Sequence, residues 1–334
     1  MWCPRLKHFA RFNYTGTVSR CGHMIDAPVF DSIEEMDAST WMSDLTAQMA
    51  QDVWPKECYR CEQTEKLSQQ SIRLYSLQTH EKQTRPDYLY FGGVLDNTCN
   101  SACQTCNQSL STKIGSLYSK HYPIVDNSNK FWKLPLERVV QLDINGGEPS
   151  ASKNYKRILA NLPPNLQSLR VNTNAALVLD ELLTVADRGI KVTVTVSLDG
   201  VGKVHDYVRW PINWERFKTN VLAYRDAGKF ELNLWTTVSA LNINDLENIF
   251  EFAQQYNIDH SYAFLHQPSQ LNIKYTNTLT LKAKQQFQDN SKFGLDSISK
   301  LCAVDANNQV EIDQFVQNQD KLRNINIQDF IDIQ

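Results

Sequence analysis

The sequence predicts an α/β fold with a parallel sheet, and two observations support this prediction. Between residues 85 and about 270, short runs rich in β-branched residues alternate with stretches of helical character. Such alternation is typical of consecutive βα units, because parallel strands need a crossover to return the chain. Polar or glycine motifs also follow the predicted strands, which is where parallel α/β sheets collect their functional residues.

The chain divides by composition into three regions. Residues 1–84 are polar, irregular and rich in cysteine; residues 85–275 carry the βα pattern; residues 276–334 are rich in Asn, Gln and Asp. The formal net charge of -3, without a basic stripe, favours neither nucleic acid nor an anionic membrane as a partner. We find no secretory signal and no apolar run of membrane-spanning length, so we expect a protein of the reducing cytoplasm.

The elements follow in order along the chain. In the first region the aromatic run between Cys3 and Cys21 predicts a small hairpin with these cysteines on its flanks, and helices are expected over 39–52 and 61–76. In the second region we predict strands over 88–95, 139–144, 166–171, 190–198, 230–239 and 258–265, and helices over 108–119, 153–160, 179–188, 213–227 and 244–256. In the tail, helices are expected over 279–290 and 310–322.

Three cysteines, Cys99, Cys103 and Cys106, follow the first strand of the βα region with CxxxCxxC spacing. Cysteine thiolates are the usual ligands of [4Fe–4S] clusters, and three of them leave the fourth iron free to bind a small molecule. A closed structural site would need a fourth ligand nearby, but the next histidine, His121, lies beyond the predicted helix. The spacing therefore favours a cluster with one open iron.

Four further cysteines, Cys3, Cys21, Cys58 and Cys61, lie in the N-terminal region. Disulfides are not expected in a reducing compartment, and four thiolates suffice for a zinc ion or a fully ligated iron–sulfur cluster. Four unconnected cysteines are the alternative, since only Cys58 and Cys61 form a recognisable pair. Cys302 stands alone in the tail, and we expect it to be a buried, inert thiol.

The next three strands end in short polar motifs. They are Gly146-Gly147-Glu148-Pro149, Thr173-Asn174 and Ser197-Leu198-Asp199-Gly200. Each motif taken alone also fits an ordinary turn, because Gly, Pro, Asn and Asp are common turn residues. Their shared position at strand ends favours a functional site instead.

The order of these motifs resembles the radical S-adenosylmethionine (SAM) superfamily. The CxxxCxxC loop, GGEP, TNA and SLDG follow four successive strands, as in its SPASM/twitch-type branch, and the resemblance covers about residues 85–270. Cys3-Pro4, Cys21 and the run WPKECYRCEQTE resemble a twitch-type auxiliary-cluster region placed ahead of the barrel. The resemblance implies a partial (β/α)6 TIM-like barrel with an N-terminal cysteine-rich auxiliary region and a C-terminal helical tail.

The resemblance also implies a chemistry. Cys99, Cys103 and Cys106 would bind a reducible [4Fe–4S] cluster, and SAM would chelate its open iron. One electron from the cluster would cleave SAM to a 5′-deoxyadenosyl radical, which removes hydrogen from an unreactive carbon. Cys3, Cys21, Cys58 and Cys61 would hold a second, auxiliary [4Fe–4S] cluster.

A set of residues at the strand ends would bind SAM. Glycines allow close backbone approach, Glu148 would accept hydrogen bonds from the SAM ammonium, and Arg209 would pair with a carboxylate or form an ordinary ion pair. The full set is Gly146, Gly147, Glu148, Pro149, Thr173, Asn174, Ser197, Asp199 and Arg209. Thr105 departs from the family pattern, since many members carry an aromatic residue there against the adenine.

The sequence leaves the substrate open. A peptide or protein side chain is the first expectation and a small molecule such as a nucleotide or sugar is the second, with flavodoxin or ferredoxin as the reductant. Two other functions remain: a zinc or iron–sulfur binding protein without catalysis, and a degenerate barrel that binds a cluster but does not cleave SAM. An auxiliary cluster with all four cysteines as ligands is expected to transfer electrons and not to bind substrate directly.

Overall fold

The computed structural model describes residues 1–68 and 71–331 and confirms the predicted α/β fold. An eight-stranded sheet runs in the order β2-β1-β3-β4-β5-β6-β7-β8. Every neighbouring pair is parallel except the first, β2 and β1. The strands are β1 Phe9–Phe12, β2 Val18–Ser19, β3 Leu89–Val94, β4 Val139–Asn145, β5 Ser168–Thr173, β6 Lys191–Ser197, β7 Glu231–Val238 and β8 Asp259–Phe264.

Helices connect these strands, as the alternating pattern predicts. Those before and within the sheet are α1 Arg5–His8, α2 Ile33–Ala38, α3 Thr40–Ala50, α4 Tyr59–Ser68, α5 Ile72–His80, α6 Thr112–Tyr118, α7 Ser128–Phe131, α8 Lys153–Ala160, α9 Glu181–Asp187, α10 Lys203–Val208, α11 Trp214–Asp226 and α12 Leu246–Gln255. The tail adds α13 Thr278–Phe287, α14 Leu295–Ser299 and α15 Gln309–Arg323, with a small parallel sheet of β9 Tyr275–Thr276 and β10 Asp305–Asn307.

Alternation along β6 shows how the sequence separates core from site. Val192, Val194 and Val196 are at most 2% exposed and belong to the main hydrophobic cluster. The residues between them are polar, and the last one, Ser197, lines a cavity at the end of the strand. Because successive strand residues face opposite sides, the valines form the core while Ser197 is presented at the site.

The N-terminal hairpin joins the same sheet as the βα units. Strand β1 pairs in parallel with β3, which places Phe12 opposite Gly93. A Cβ at Gly93 would lie 2.2 Å from the Phe12 carbonyl oxygen, so glycine is required for this approach. Cys3 and Cys21 lie on the flanks of the hairpin, as predicted.

Helix boundaries differ from the predictions where a capping residue intervenes. The helix predicted over 61–76 is two helices, α4 and α5, and Ser71 accepts a hydrogen bond from Leu74 N at the start of the second. Helix α6 begins after Ser111, not near residue 108, because the Ser111 side chain accepts from Ile114 N. Helix α10 and the small tail sheet were not predicted. None of the helices in the described ranges is long and apolar enough to cross a membrane.

Candidate active site

The three cysteines of the CxxxCxxC loop line one cavity at the carboxyl ends of β4, β5 and β6. This first cavity has a volume of about 200 Å³. Its lining brings together most of the residues that the sequence predicts: Cys99, Cys103, Cys106, Gly146, Gly147, Glu148, Thr173, Asn174, Ser197 and Arg209. The predicted cluster ligands and most of the predicted SAM contacts therefore share one space.

Ser101, which the sequence analysis did not single out, lies between two of the cysteine sulfurs. Its Oγ is 3.3 Å from Cys99 Sγ and 3.5 Å from Cys103 Sγ. Its carbonyl accepts a hydrogen bond of 2.7 Å from Ser111 Oγ, and the Thr112 side chain accepts one of 3.1 Å from Cys99 N. The start of α6 therefore fixes the loop so that its sulfurs face the cavity.

The glycine turn after β4 packs directly against the cysteine loop. Gly147 N donates to Asp96 O at 2.9 Å, and Glu148 N donates to Thr98 O at 2.7 Å. A Cβ would lie 2.6 Å from Asp96 O at Gly146 and 2.1 Å from Thr98 O at Gly147. Both glycines are therefore needed to bring the turn against the loop, in addition to lining the cavity.

Glu148 joins the ends of β4 and β5 beneath the cavity. One carboxylate oxygen accepts from Ser150 Oγ and Thr173 Oγ1, each at 2.7 Å, and the other accepts from Asn174 N at 2.6 Å. Burial raises the pKa of Glu148 above its usual range, while the hydrogen bond from Asn174 opposes this shift most strongly. The second oxygen keeps an acceptor site for a ligand.

Asn174 connects the end of β5 to the cysteine loop. Its Nδ2 donates to Asn100 Oδ1 at 2.8 Å and to Ser101 Oγ at 3.1 Å. Pro149 is buried behind Glu148, in the short 3-10 turn Pro149–Ala151, and does not line the cavity. Of the GGEP motif, the two glycines and the glutamate thus face the cavity.

Arg209 points into the same cavity from beyond β6. Its Nη1 donates to Asp199 Oδ2 at 3.0 Å, and Asp199 is 1% exposed. Burial lowers the pKa of Arg209, but Cys103 and Asp199 outweigh it, so the net shift is upward. The ion pair foreseen as one alternative is present, but it is buried at the cavity wall, with Asp199 behind the guanidinium and not in the lining.

The C-terminal helix reaches the cysteine loop, which no motif in the sequence indicated. Arg323, at the end of α15, is 4% exposed. Its Nε donates to Ala102 O at 2.9 Å and its Nη2 to Cys103 O at 3.4 Å. Arg323 contacts backbone carbonyls that lie more than two hundred residues earlier in the chain. Because any residue has a backbone carbonyl, such a contact produces no recognisable sequence pattern.

Cys103 of the loop is buried, while Cys99 and Cys106 are half-buried. Burial raises the pKa of Cys106 to about 12 and raises that of Cys99 as well, with Cys103 adding to both shifts. Iron binding needs the thiolate form, so loading this site would release protons. The donor set, three converging thiols beside a polar cavity, fits a cluster with one open iron.

The four N-terminal cysteines also converge, although they come from separate segments. Cys3, Cys21, Cys58 and Cys61 line one cavity with Met49 and Trp54 on its apolar side. Burial raises the pKa of Cys3 to about 11 and that of Cys58 to about 12, and neighbouring cysteines add to both shifts. Charged side chains also line this cavity, and its donor set of four thiols fits a fully ligated cluster.

Within residues 1–68 and 71–331, no group of three or more His, Cys, Asp or Glu side chains is arranged around a single metal position. Four thiolates suffice either for a tetrahedral zinc ion or for a fully ligated iron–sulfur cluster.

Comparison with known proteins identifies distant relatives. No protein-family model matches the chain. The sporulation killing factor maturation protein SkfB of Bacillus subtilis (strain 168) is 22% identical over 225 residues, which cover 65% of this chain and 49% of SkfB. The chain therefore spans about half the length of this curated relative.

Solved structures match the chain at low sequence identity. The structure of anSMEcpe with bound AdoMet matches at 14% identity and a TM-score of 0.44, over 64% of this chain and 63% of that chain. Streptococcus suis SuiB bound to its precursor peptide SuiA matches at 14% identity and a TM-score of 0.44, over 77% and 59%. Together with the motif order and its place at the strand ends, the similarity to SkfB confirms the resemblance to the radical SAM superfamily and its SPASM/twitch-type branch.

Proposed function

We propose that this chain is a radical SAM enzyme whose first cavity holds a [4Fe–4S] cluster and SAM. The observation that supports this proposal is the meeting of Cys99, Cys103 and Cys106 with the Gly146–Glu148 turn in one cavity. When bound, the cluster and SAM supply a one-electron cleavage that yields a 5′-deoxyadenosyl radical able to take hydrogen from an unreactive carbon.

The protein's own residues would orient SAM and keep water out. The free acceptor site of the Glu148 carboxylate suits the SAM ammonium, and the Arg209 guanidinium, held from behind by Asp199, suits its carboxylate. Thr105 and Leu110 line the same cavity. In the absence of an aromatic residue at position 105, we infer that Leu110 supplies apolar contact to the adenine.

The four N-terminal cysteines would hold the auxiliary [4Fe–4S] cluster. Because four thiolates occupy all four irons, this cluster would carry electrons and would not bind substrate. A flavodoxin or ferredoxin of the reducing cytoplasm would supply the first cluster with its electron. Zinc at these cysteines is the competing assignment.

A peptide or protein side chain is the proposed substrate. Its support is the match to SkfB, a protein named for the maturation of a killing factor. A small molecule such as a nucleotide or sugar is the second candidate, favoured by the polar side chains that line the first cavity.

Anaerobic incubation with SAM and dithionite tests the proposal. The purified protein should be brown, should contain about eight irons per chain, and should form 5′-deoxyadenosine. Cys103→Ala should abolish this product, while Cys302→Ala, which changes a cysteine remote from both cavities, should retain it. Colourless protein with stoichiometric zinc and no 5′-deoxyadenosine would overturn the proposal in favour of a binding protein.

A further inference from the structure

A second polar cavity lies at the interface of the N-terminal region and the sheet. It has a volume of about 230 Å³. Four charged side chains line it: Arg5 and Arg11 from the N-terminal region, Asp143 from β4 and Arg170 from β5. We call it the arginine cavity.

The charges in the arginine cavity are unbalanced and unpaired. Three guanidinium groups face one carboxylate, and within the described ranges none of the four side chains forms a hydrogen bond or an ion pair within 4.0 Å. The Nε atoms of Arg5 and Arg11 are inaccessible to solvent and have no partner. Because partly buried charges without partners are costly, an anion entering the cavity would relieve this excess of positive charge.

Packing holds the arginines in place before any ligand binds. The Arg5 guanidinium carbon lies 3.5 Å from the centre of the Phe9 ring, a cation–π contact. Arg11 passes over Gly22, where a Cβ would lie 2.1 Å from its Nη1. Preorganised side chains lose less conformational entropy when they bind a ligand, which favours affinity.

The electrostatics agree with this geometry. Burial raises the pKa of Asp143 above its usual range, while Arg170, Arg5 and Arg11 act in the opposite direction. All three guanidinium groups therefore favour negative charge in this cavity.

The arginine cavity adjoins both cysteine sites. Asn145, at the end of β4, lines it and also lines the first cavity. Arg5, His23 and Ile72 line it and also line the cavity of the four N-terminal cysteines. A molecule anchored in the arginine cavity would extend toward the proposed SAM site past Asn145.

We propose that the arginine cavity binds an anionic oxygen group of the substrate, a carboxylate or a phosphate. Planar guanidinium forks match both groups with paired hydrogen bonds. This inference rests on the proposed function, since it defines the substrate of the same enzyme as a molecule with an anionic end. A carboxylate would come from an acidic residue or the C-terminus of a peptide, and a phosphate from a phosphorylated small molecule.

Titration calorimetry on the anaerobically purified, cluster-loaded protein tests the proposal, with acetate and inorganic phosphate as probes at constant ionic strength. At least one probe should bind, and Arg11→Gln and Arg170→Gln should each weaken its binding at least about tenfold, because each removes a charged hydrogen-bond donor. Arg216→Gln, the same substitution on the exposed face of α11, is the matched control and should leave binding unchanged.

The two probes distinguish the sources of the anion. Tighter acetate binding supports a peptide carboxylate, and tighter phosphate binding supports a phosphorylated small molecule. Binding of neither probe, or binding that survives both substitutions, would overturn the inference. Formation of 5′-deoxyadenosine by the wild-type protein, measured separately, shows whether the proposed function itself holds, so the two failures remain distinguishable.

Discussion

The two cysteine sites of this protein are built in different ways. Cys99, Cys103 and Cys106 belong to one loop, and the starts and ends of adjacent elements hold that loop by hydrogen bonds. The N-terminal site gathers Cys3 and Cys21 from the flanks of a hairpin, Cys58 from the 3-10 turn before α4, and Cys61 from the first turn of α4. One site is local in sequence and the other is assembled by folding.

This difference predicts that the two sites respond differently to mutation. The local site depends on the few backbone hydrogen bonds that orient its cysteine sulfurs, whereas the assembled site depends on the packing of whole helices and strands. The local site has three cysteines in a cavity lined by polar side chains, whereas the assembled site has four cysteines, so we expect open coordination at the local site alone. The following changes test this contrast, from the largest expected effect to the smallest.

Removing one ligand from each site should have the largest effect. Cys103→Ser and Cys58→Ser should each lower the iron content from about eight to about four per chain, because each cube holds four irons. Only Cys103→Ser removes the site that faces the SAM cavity. Iron analysis together with electron paramagnetic resonance of the reduced protein measures the outcome, and loss of all iron from both variants would contradict two independent sites.

Gly147→Ala should disrupt the local site and spare the assembled one. The new Cβ would lie 2.1 Å from Thr98 O, so the turn and the loop must separate, at a cost of about 1–3 kcal/mol in the free energy of unfolding. The variant should lose iron from the first cluster while keeping the N-terminal cluster signal. Gly228→Ala, which meets no atom within 4 Å, controls for general backbone effects and should keep both signals.

Arg323→Gln should act on the local site from the far end of the chain. The substitution weakens the bonds to the carbonyls of Ala102 and Cys103 and removes a buried positive charge, with an expected loss of about 2 kcal/mol in the free energy of unfolding. Loss of positive charge disfavours the reduced cluster, so its reduction potential should fall. Spectroscopic redox titration and denaturant unfolding measure these two effects.

Lys321→Gln is the matched control, because Lys321 lies on the same helix and is exposed. It should leave both the potential and the stability unchanged. An unchanged potential in Arg323→Gln would mean that the tail only packs against the loop and does not influence the cluster.

Asp245 should produce the smallest effect, through pH. Its carboxylate accepts from Val201 N beside the SLDG turn, and burial raises its pKa to about 6. Between about pH 4 and pH 6 the folded state therefore holds a proton that the unfolded state releases, so this group lowers the free energy of unfolding as the pH rises. Asp245→Asn should remove this decrease, so that urea titrations at pH 4 and pH 6 give more nearly equal free energies of unfolding. An unaltered slope would show that Asp245 is ionised throughout.

The local site could be predicted from the sequence because its parts are short motifs at strand ends. The alternation of residues along each strand, as in β6, predicted the sheet. The carboxyl ends of parallel strands lie at one edge of a sheet. The sequence therefore predicted that residues of the motifs following these strands would meet, and these motifs are CxxxCxxC, GGEP, TNA and SLDG. Glu148, Thr173 and Asn174, which were predicted in this way, line the cavity, and so does Arg209, which the family resemblance implied. Pro149 and Asp199 were grouped with them, but lie behind the cavity.

Other features depend on contacts between segments distant in the chain. Arg323 reaches the cysteine loop, and Arg5 and Arg11 meet Arg170 and Asp143, only because the tail and the N-terminal hairpin pack against the sheet. Isolated arginines and aspartates form no sequence motif, so the sequence does not indicate that they lie in one cavity. The sequence by itself therefore determined the βα order and which side chains meet at the local site, through periodicity and short motifs. Only the tertiary structure decided which distant charges share a cavity, because packing, and not sequence spacing, brings them together.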